Sequence, residues 1–203
     1  MNFGELKQEI ANYMHRVDLG TFIPAFIEKA RQRINRDLRV REMITQADVT
    51  PTTNPFPAPD GFLEMRDMFH LRGNGRVTLT LTDRKQLNDF INSSVSDAVP
   101  RFYSIDGTQI ETRPGGIDIV FTQIFYVEEI AFVDDADERI TLTQYPTIWL
   151  YAALIEGHSF TQDLDLMNSV QQFYVSEVDQ ANIQSADAES GAALEMSGAS
   201  NWI

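Results

Sequence analysis

The stretch that decides the fold is Tyr145-Pro146-Thr147-Ile148-Trp149-Leu150-Tyr151-Ala152-Ala153-Leu154-Ile155-Glu156. Proline is at home in the first turn of a helix, where the amide hydrogen it lacks has no intrahelical partner. From Ile148 to Ile155 every residue is apolar, the longest such run in the chain. Eight residues fall far short of the roughly 20 needed to cross a bilayer, so no membrane span is expected. A helix that is apolar on all sides is enclosed, either by other helices of its own chain or by a neighbouring subunit. Gly157 reads as its stop signal.

Helical patterning also flanks this stretch. A last helix is predicted over 161–185, with Leu164, Leu166, Met167, Val170, Phe173, Tyr174, Val178 and Ala181 lining one broad side. Residues 186–203 are rich in Ala, Ser and Gly, with too little apolar mass to fold alone, and read as a flexible arm. That arm carries Leu194 and Met196 and closes on Asn201-Trp202-Ile203. A terminal Trp is a natural anchor, because it buries a large area with few rotamers. At the other end, Leu6, Ile10, Tyr13, Met14 and Val17 recur three or four apart, with Asn2 placed to cap the turn. A second helix follows over 22–38, where Phe22, Phe26, Ala30, Ile34 and Leu38 fall on one line. Its other side is basic, with Lys29, Arg31, Arg33, Arg36, Arg39 and Arg41.

Between these helical ends the signal changes. Thr50-Pro51-Thr52-Thr53-Asn54-Pro55-Phe56-Pro57-Ala58-Pro59-Asp60-Gly61 holds four of the eight prolines and marks a boundary. Beyond it, strand-like runs at 62–71, 77–81, 101–105, 109–113, 117–127 and 139–142 alternate with turn signals such as Gly73-Asn74-Gly75 and Asp106-Gly107. A small helix is expected over 83–92. The expected architecture is therefore α+β: a four-helix bundle from 1–43 and 144–185, a β-rich insertion over 44–143, and an extended C-terminal arm over 186–203.

The charge is unevenly placed. The 203 residues carry 16 Lys plus Arg against 30 Asp plus Glu, a net charge of −14. Residues 1–113 hold 15 of each sign, whereas 114–203 hold 15 acids and only Arg139. Such an asymmetry speaks to partners and solubility. It disfavours DNA or RNA affinity over the acidic half, because phosphate binding requires clustered cations. With no Cys, there are no disulfides and no thiolate nucleophiles or ligands, which fits a reducing compartment. The amino-terminal residues show no signal peptide pattern.

No catalytic constellation emerges. His15, His70 and His158 stand alone, without metal-ligand spacing. Asp134-Asp135-Ala136-Asp137-Glu138 lacks the glycine and the distant glutamate of a calcium loop, and reads as a solvated tip. Glu128 and Glu129 are adjacent, and neighbours on a strand point to opposite faces, so they do not form an acid/base pair and one is simply exposed. No nucleophile elbow, phosphate loop or dinucleotide fingerprint occurs. The expectation is a protein without enzymatic activity, cofactor or metal. Lys29, Arg33, Arg36 and Arg39 remain as candidates, either for subunit-interface or channel contacts or, in an alternative reading, for a DNA-binding or DNA-packaging accessory protein that uses the basic helix around residues 29–41.

Several stretches together resemble one family. Phe22-Ile23-Pro24-Ala25-Phe26-Ile27-Glu28-Lys29-Ala30-Arg31-Gln32-Arg33-Ile34-Asn35-Arg36-Asp37-Leu38-Arg39 is similar to the I-P-x-F-I-x-x-A-x-x-R-I-x-R-x-L-R helix of phage head–tail adaptor proteins. Pro59-Asp60-Gly61-Phe62-Leu63-Glu64-Met65-Arg66 resembles the entry to that family's β module. Val99-Pro100-Arg101-Phe102-Tyr103-Ser104-Ile105-Asp106-Gly107 is similar to its P-x-x-Y-x-I-x-G strand and turn, and the opening stretch to its Y-P-x-x-x-L-Y-A-A-L-x-E helix. The resemblance implies a virion structural protein at the head–tail junction, present in the host cytoplasm during assembly. It implies a homo-oligomeric ring, commonly of twelve copies, beneath the portal, with tail or nozzle proteins below and DNA passing through without specific binding. It also implies a portal-binding arm, for which Leu194, Met196, Trp202 and Ile203 are the candidate contacts here.

Overall fold

The computed structural model describes residues 1–87 and 99–198, the last ten of them by backbone alone. The chain divides into two compact units, one of residues 1–43 with 129–203 and one of residues 44–128. The segment 129–143, expected with the β-rich insertion, thus belongs with the helices.

In the helical unit, α1 (Phe3–Met14) begins with a capping box. The Asn2 side chain accepts from the Glu5 amide at 2.8 Å, and the Glu5 carboxylate accepts from the Asn2 amide at 3.0 Å. This satisfies two amide donors that a helix start leaves open. Leu6, Ile10 and Met14, one turn apart, form its buried stripe. Helix α2 (Ile23–Asp37) buries Ile23, Phe26, Ile27, Ala30 and Ile34 by the same rule.

The short α3 (Ile140–Gln144) stands where the β-branched run 139–142 predicts a strand. Here tertiary contacts overrule propensity. The Thr141 hydroxyl, fully buried, donates to Glu129 at 2.7 Å and accepts from the Trp149 indole at 3.2 Å.

Helix α4 (Pro146–Thr161) is the hub. Ile148, Trp149, Leu150, Ala152, Ala153, Leu154 and Ile155 are all buried, and α1, α2, α3 and α5 (Leu164–Gly198) each pack against it. Gly157 does not end the helix; it lies inside it, where a Cβ would sit 2.6 Å from the Met14 sulfur. The glycine is thus a close-approach position for α1, and the chain turns only at Gln162, in the left-handed region at φ 60°.

The expected four-helix bundle is overturned. A bundle shares its core among four helices with one apolar stripe each. Here one helix, apolar all round, takes the centre, and the rest of the unit wraps it. The remaining fold is β: two four-stranded sheets.

The first sheet has the order β1 (Ile44–Val49), β8 (Phe121–Val127), β3 (Phe62–Arg72), β4 (Gly75–Thr78), all antiparallel. The second has the order β2 (Phe56–Pro57), β7 (Gln109–Arg113), β6 (Phe102–Asp106), β5 (Thr80–Leu81), with β5 and β6 parallel. The alternating run 77–81, expected as one strand, is divided between the sheets. Leu79 at the crossing is buried, and its amide donates to the Met68 carbonyl at 2.7 Å.

Phe56, Met65, Met68, Leu79, Tyr103, Ile110, Phe121 and Phe125, drawn from both sheets, form a single core. Burial there pushes the Tyr103 phenol up to about 12. The hairpin at Gly73-Asn74 is as the turn signal predicts, with Gly73 at φ 59°. Strands β1 and β2 have no counterpart among the predicted runs. Residues 84–87 of the helix expected over 83–92 are helical, and 88–92 lie outside the described residues.

Helix α5 departs most from expectation. Its backbone stays helical to Gly198, thirteen residues past the predicted end at Ser185. The Ala-rich composition read as an irregular arm is also that of the best helix former. Leu164, Leu166 and Phe173, expected in its apolar side, are about half exposed. Tyr174, Val178, Ala181 and Ser185 carry the packing instead.

Candidate interaction surfaces

Residues two positions apart on a helix point about 200° apart, and α2 uses both of its flanks. On one, Arg31 donates to the Glu129 carbonyl at 2.7 Å, and the Asn35 side chain both donates to that carbonyl at 3.1 Å and accepts from the Glu129 amide at 2.8 Å. The Glu129 carboxyl is itself buried among Thr141, Arg31 and Arg139, and desolvation pushes its pKa above the ordinary glutamate value. Its neighbour Glu128 is exposed.

On the other flank lie the sequence-predicted cations. Arg33 meets Glu156 at 2.7 Å and stacks over the Tyr174 ring at 5.9 Å, while Lys29 approaches Glu156 at 4.0 Å. Arg36 pairs with Asp37 in two hydrogen bonds, at 2.8 and 3.2 Å. Lys29, Gln32, Arg33, Arg36 and Glu156 line one depression. Arg39 is not part of it; its guanidinium donates to the carbonyls of Asn35 and Leu38. The structure therefore gathers three of the four predicted cations in one depression, two of them on Glu156 and the third on Asp37.

Helix α5 closes the far end of α2. The Arg39 amide donates to Asn182, the Arg41 amide to Ser185, and the Asn182 side chain returns a bond to the Asp37 carbonyl. These partners are polar residues of a helix read by its apolar positions, so nothing in the sequence singled them out. Beyond Ser185, the side chains of Ala186, Asp187 and Ala188 are exposed. The helix then continues for about 20 Å at 1.5 Å per residue to Gly198. Leu194 and Met196 lie on that extension; Trp202 and Ile203 lie outside the described residues.

A further surface lies at the opposite end of the unit. Phe22 and Phe160 touch with ring centroids 5.0 Å apart, and both are about half exposed, as are Leu164 and Leu166 nearby. Sequence periodicity misses this patch because it joins ends of different helices, and only folding brings them together. Among the described residues, no helix is long and apolar enough to cross a membrane.

A family model for the SU10 adaptor protein matches residues 1–197, nearly the entire chain. The chain belongs to the SU10 adaptor protein family. It is a phage adaptor protein, in keeping with the resemblance carried by the α2, β6 and α4 motifs. No curated protein matches the chain. The family match reaches past Ser185 and covers the helical extension almost to its last described residue.

Proposed function

We propose that this chain is a virion structural protein at the head–tail junction, a ring-forming adaptor that joins the portal to tail or nozzle proteins and extends the DNA channel. The observation that carries this reading is the family match over residues 1–197. A dodecameric ring, assembled in the host cytoplasm, is the form it takes, with DNA passing through unbound. The account assigns no catalysis and no cofactor.

The portal contact falls to the end of α5 and the residues after it. The helix is packed through Ser185, and its extension toward Leu194, Met196, Trp202 and Ile203 supplies the reach. Ordering such a segment on a partner costs entropy, so the portal gates assembly. The alternative of DNA binding through residues 29–41 is disfavoured by geometry. Arg31, Arg33, Arg36 and Arg41 each pair with an acid of the same unit, Glu28, Glu156, Asp37 and Glu42. Lys29 and Arg36 are largely exposed, but those acids offset much of the charge that a phosphate would meet.

Deleting residues 186–203 tests the reading. The truncated protein is expected to fold and to lose its attachment to the cognate portal in a co-sedimentation assay. Undiminished attachment would show that the contact lies elsewhere.

A further inference from the structure

The ring reading leaves open which faces of adjacent copies meet, and the two flanks of α2 differ in a way that bears on it. The flank with Arg31 and Asn35 holds the backbone of Glu129, from which the chain runs into Val133-Asp134-Asp135-Ala136-Asp137-Glu138. This turn is held by hydrogen bonds and an ion pair. The Asp137 carboxylate accepts from the amides of Val133 and Asp134 at 2.7 and 3.1 Å, and Asp135 is tied to Lys7 and to the α1 start through the Gly4 amide. Its outer residues face solvent: Val133 is 91% exposed, and Asp134 and Glu138 are exposed as well.

The opposite flank offers the complement, a depression of about 310 Å³. Its lining is polar, with Lys29, Arg33 and Arg36 against Glu156; with Asp37, which pairs with Arg36, the count is three cations to two carboxylates, and Lys29 and Arg36 extend into solvent at 64% and 67% exposure. The buried Nε of Arg33 has no hydrogen-bond partner.

We propose that the acidic turn 133–138 of one copy docks into the basic depression at Lys29, Gln32, Arg33 and Arg36 of the next, head to tail. This rests on the ring reading and adds the contact that builds the ring. Complementary patches on different faces of one molecule meet head to tail in a heterologous contact, which closes into a ring where the rotation allows. A two-fold contact would pair the same patches reciprocally and stop at a dimer, so the ring reading selects the head-to-tail form. The polar lining suits a charged turn, and the preformed geometry of Asp137 means that little order is lost on docking. Charge complementarity at this scale acts mainly on partner choice and register.

Because the chain has no cysteine, introduced cysteines report this contact without background. Gln32 and Asp134 are both exposed, so Gln32→Cys and Asp134→Cys leave the core untouched. In phage particles whose only adaptor carries both changes, mild oxidation is expected to give a ladder of cross-linked adaptor, while particles with either change alone give monomer. Particles with a normal adaptor content but no ladder, or a cross-link from a single change, would overturn the proposed contact and leave the ring intact. Particles that assemble without the chain would overturn the virion reading itself.

A charge exchange gives a second readout. Lys29→Glu with Arg36→Glu, or Asp134→Lys with Glu138→Lys, is expected to lower adaptor incorporation at least tenfold, and all four together to restore it. Failure of the combined variant, with each protein shown folded by its melting curve, counts against the proposal. So does salt-sensitive binding of duplex DNA by the wild type that Lys29→Glu and Arg36→Glu abolish.

Discussion

Helices α4 and α5 are neighbours in sequence and in space, yet they answer opposite questions. Helix α4 has more apolar surface than one contact can cover, and its own unit buries nearly all of the run 148–155, with Tyr151 half-buried. Helix α5 is long, and its backbone runs thirteen residues past Ser185, the last buried side chain described on it. An over-apolar helix is thus not in itself evidence for a neighbouring subunit; α1, α2, α3 and α5 satisfy α4 at home. The length of α5 past Ser185 is where we place the partner contact.

The comparison breaks most readily at Trp149, which is fully buried and donates to Thr141. Trp149→Ala is expected to cost about 3–5 kcal/mol in denaturant unfolding; a cost under about 1 kcal/mol would mean that α4 is not the hub. Gly157→Ala comes next, at about 1 kcal/mol net, since the new Cβ meets the flexible end of the Met14 side chain and the better helix propensity of alanine offsets part of the overpacking. In the packed part of α5, Tyr174→Phe removes the hydroxyl that donates to Asp37 at 3.1 Å. About 0.5–1.5 kcal/mol is expected there.

Glu129 sharpens the contrast through pH. Its carboxyl is harder to ionise in the folded protein than in the unfolded chain, so the folded state binds the extra proton. Stability therefore falls as pH rises from the ordinary glutamate value through the raised one, and the cost is complete above that. Glu129→Gln keeps an acceptor for Thr141 and is expected to flatten this part of the stability profile, measured by melting at a series of pH values. An unchanged slope would place the titration elsewhere. The smallest effect belongs to the α5 extension: truncation after Ser185 is expected to shift unfolding by less than about 0.5 kcal/mol, as for surface changes generally.

How much of this was legible beforehand depended on whether the signal was local. The Asn2 cap, the α2 stripe, the Gly73-Asn74 hairpin and the apolar α4 are each written within a few residues. The role of Gly157 was not, because a glycine that ends a helix and one that admits a neighbour look alike until Met14 is placed beside it. Likewise, Ile140-Thr141-Leu142 reads as strand, and the bonds of the Thr141 hydroxyl to Glu129 and from Trp149 come from residues outside that local pattern. The basic flank was visible as a row of cations. Its pairing with Glu156, 123 residues from Arg33, was not.

Electron microscopy of the full chain mixed with its cognate portal tests the central claim most directly. The account predicts a closed ring of adaptor subunits on the portal, with the end of each α5 lying against portal density. A complex with no ring, or a ring in which α5 points away from the portal, would contradict it.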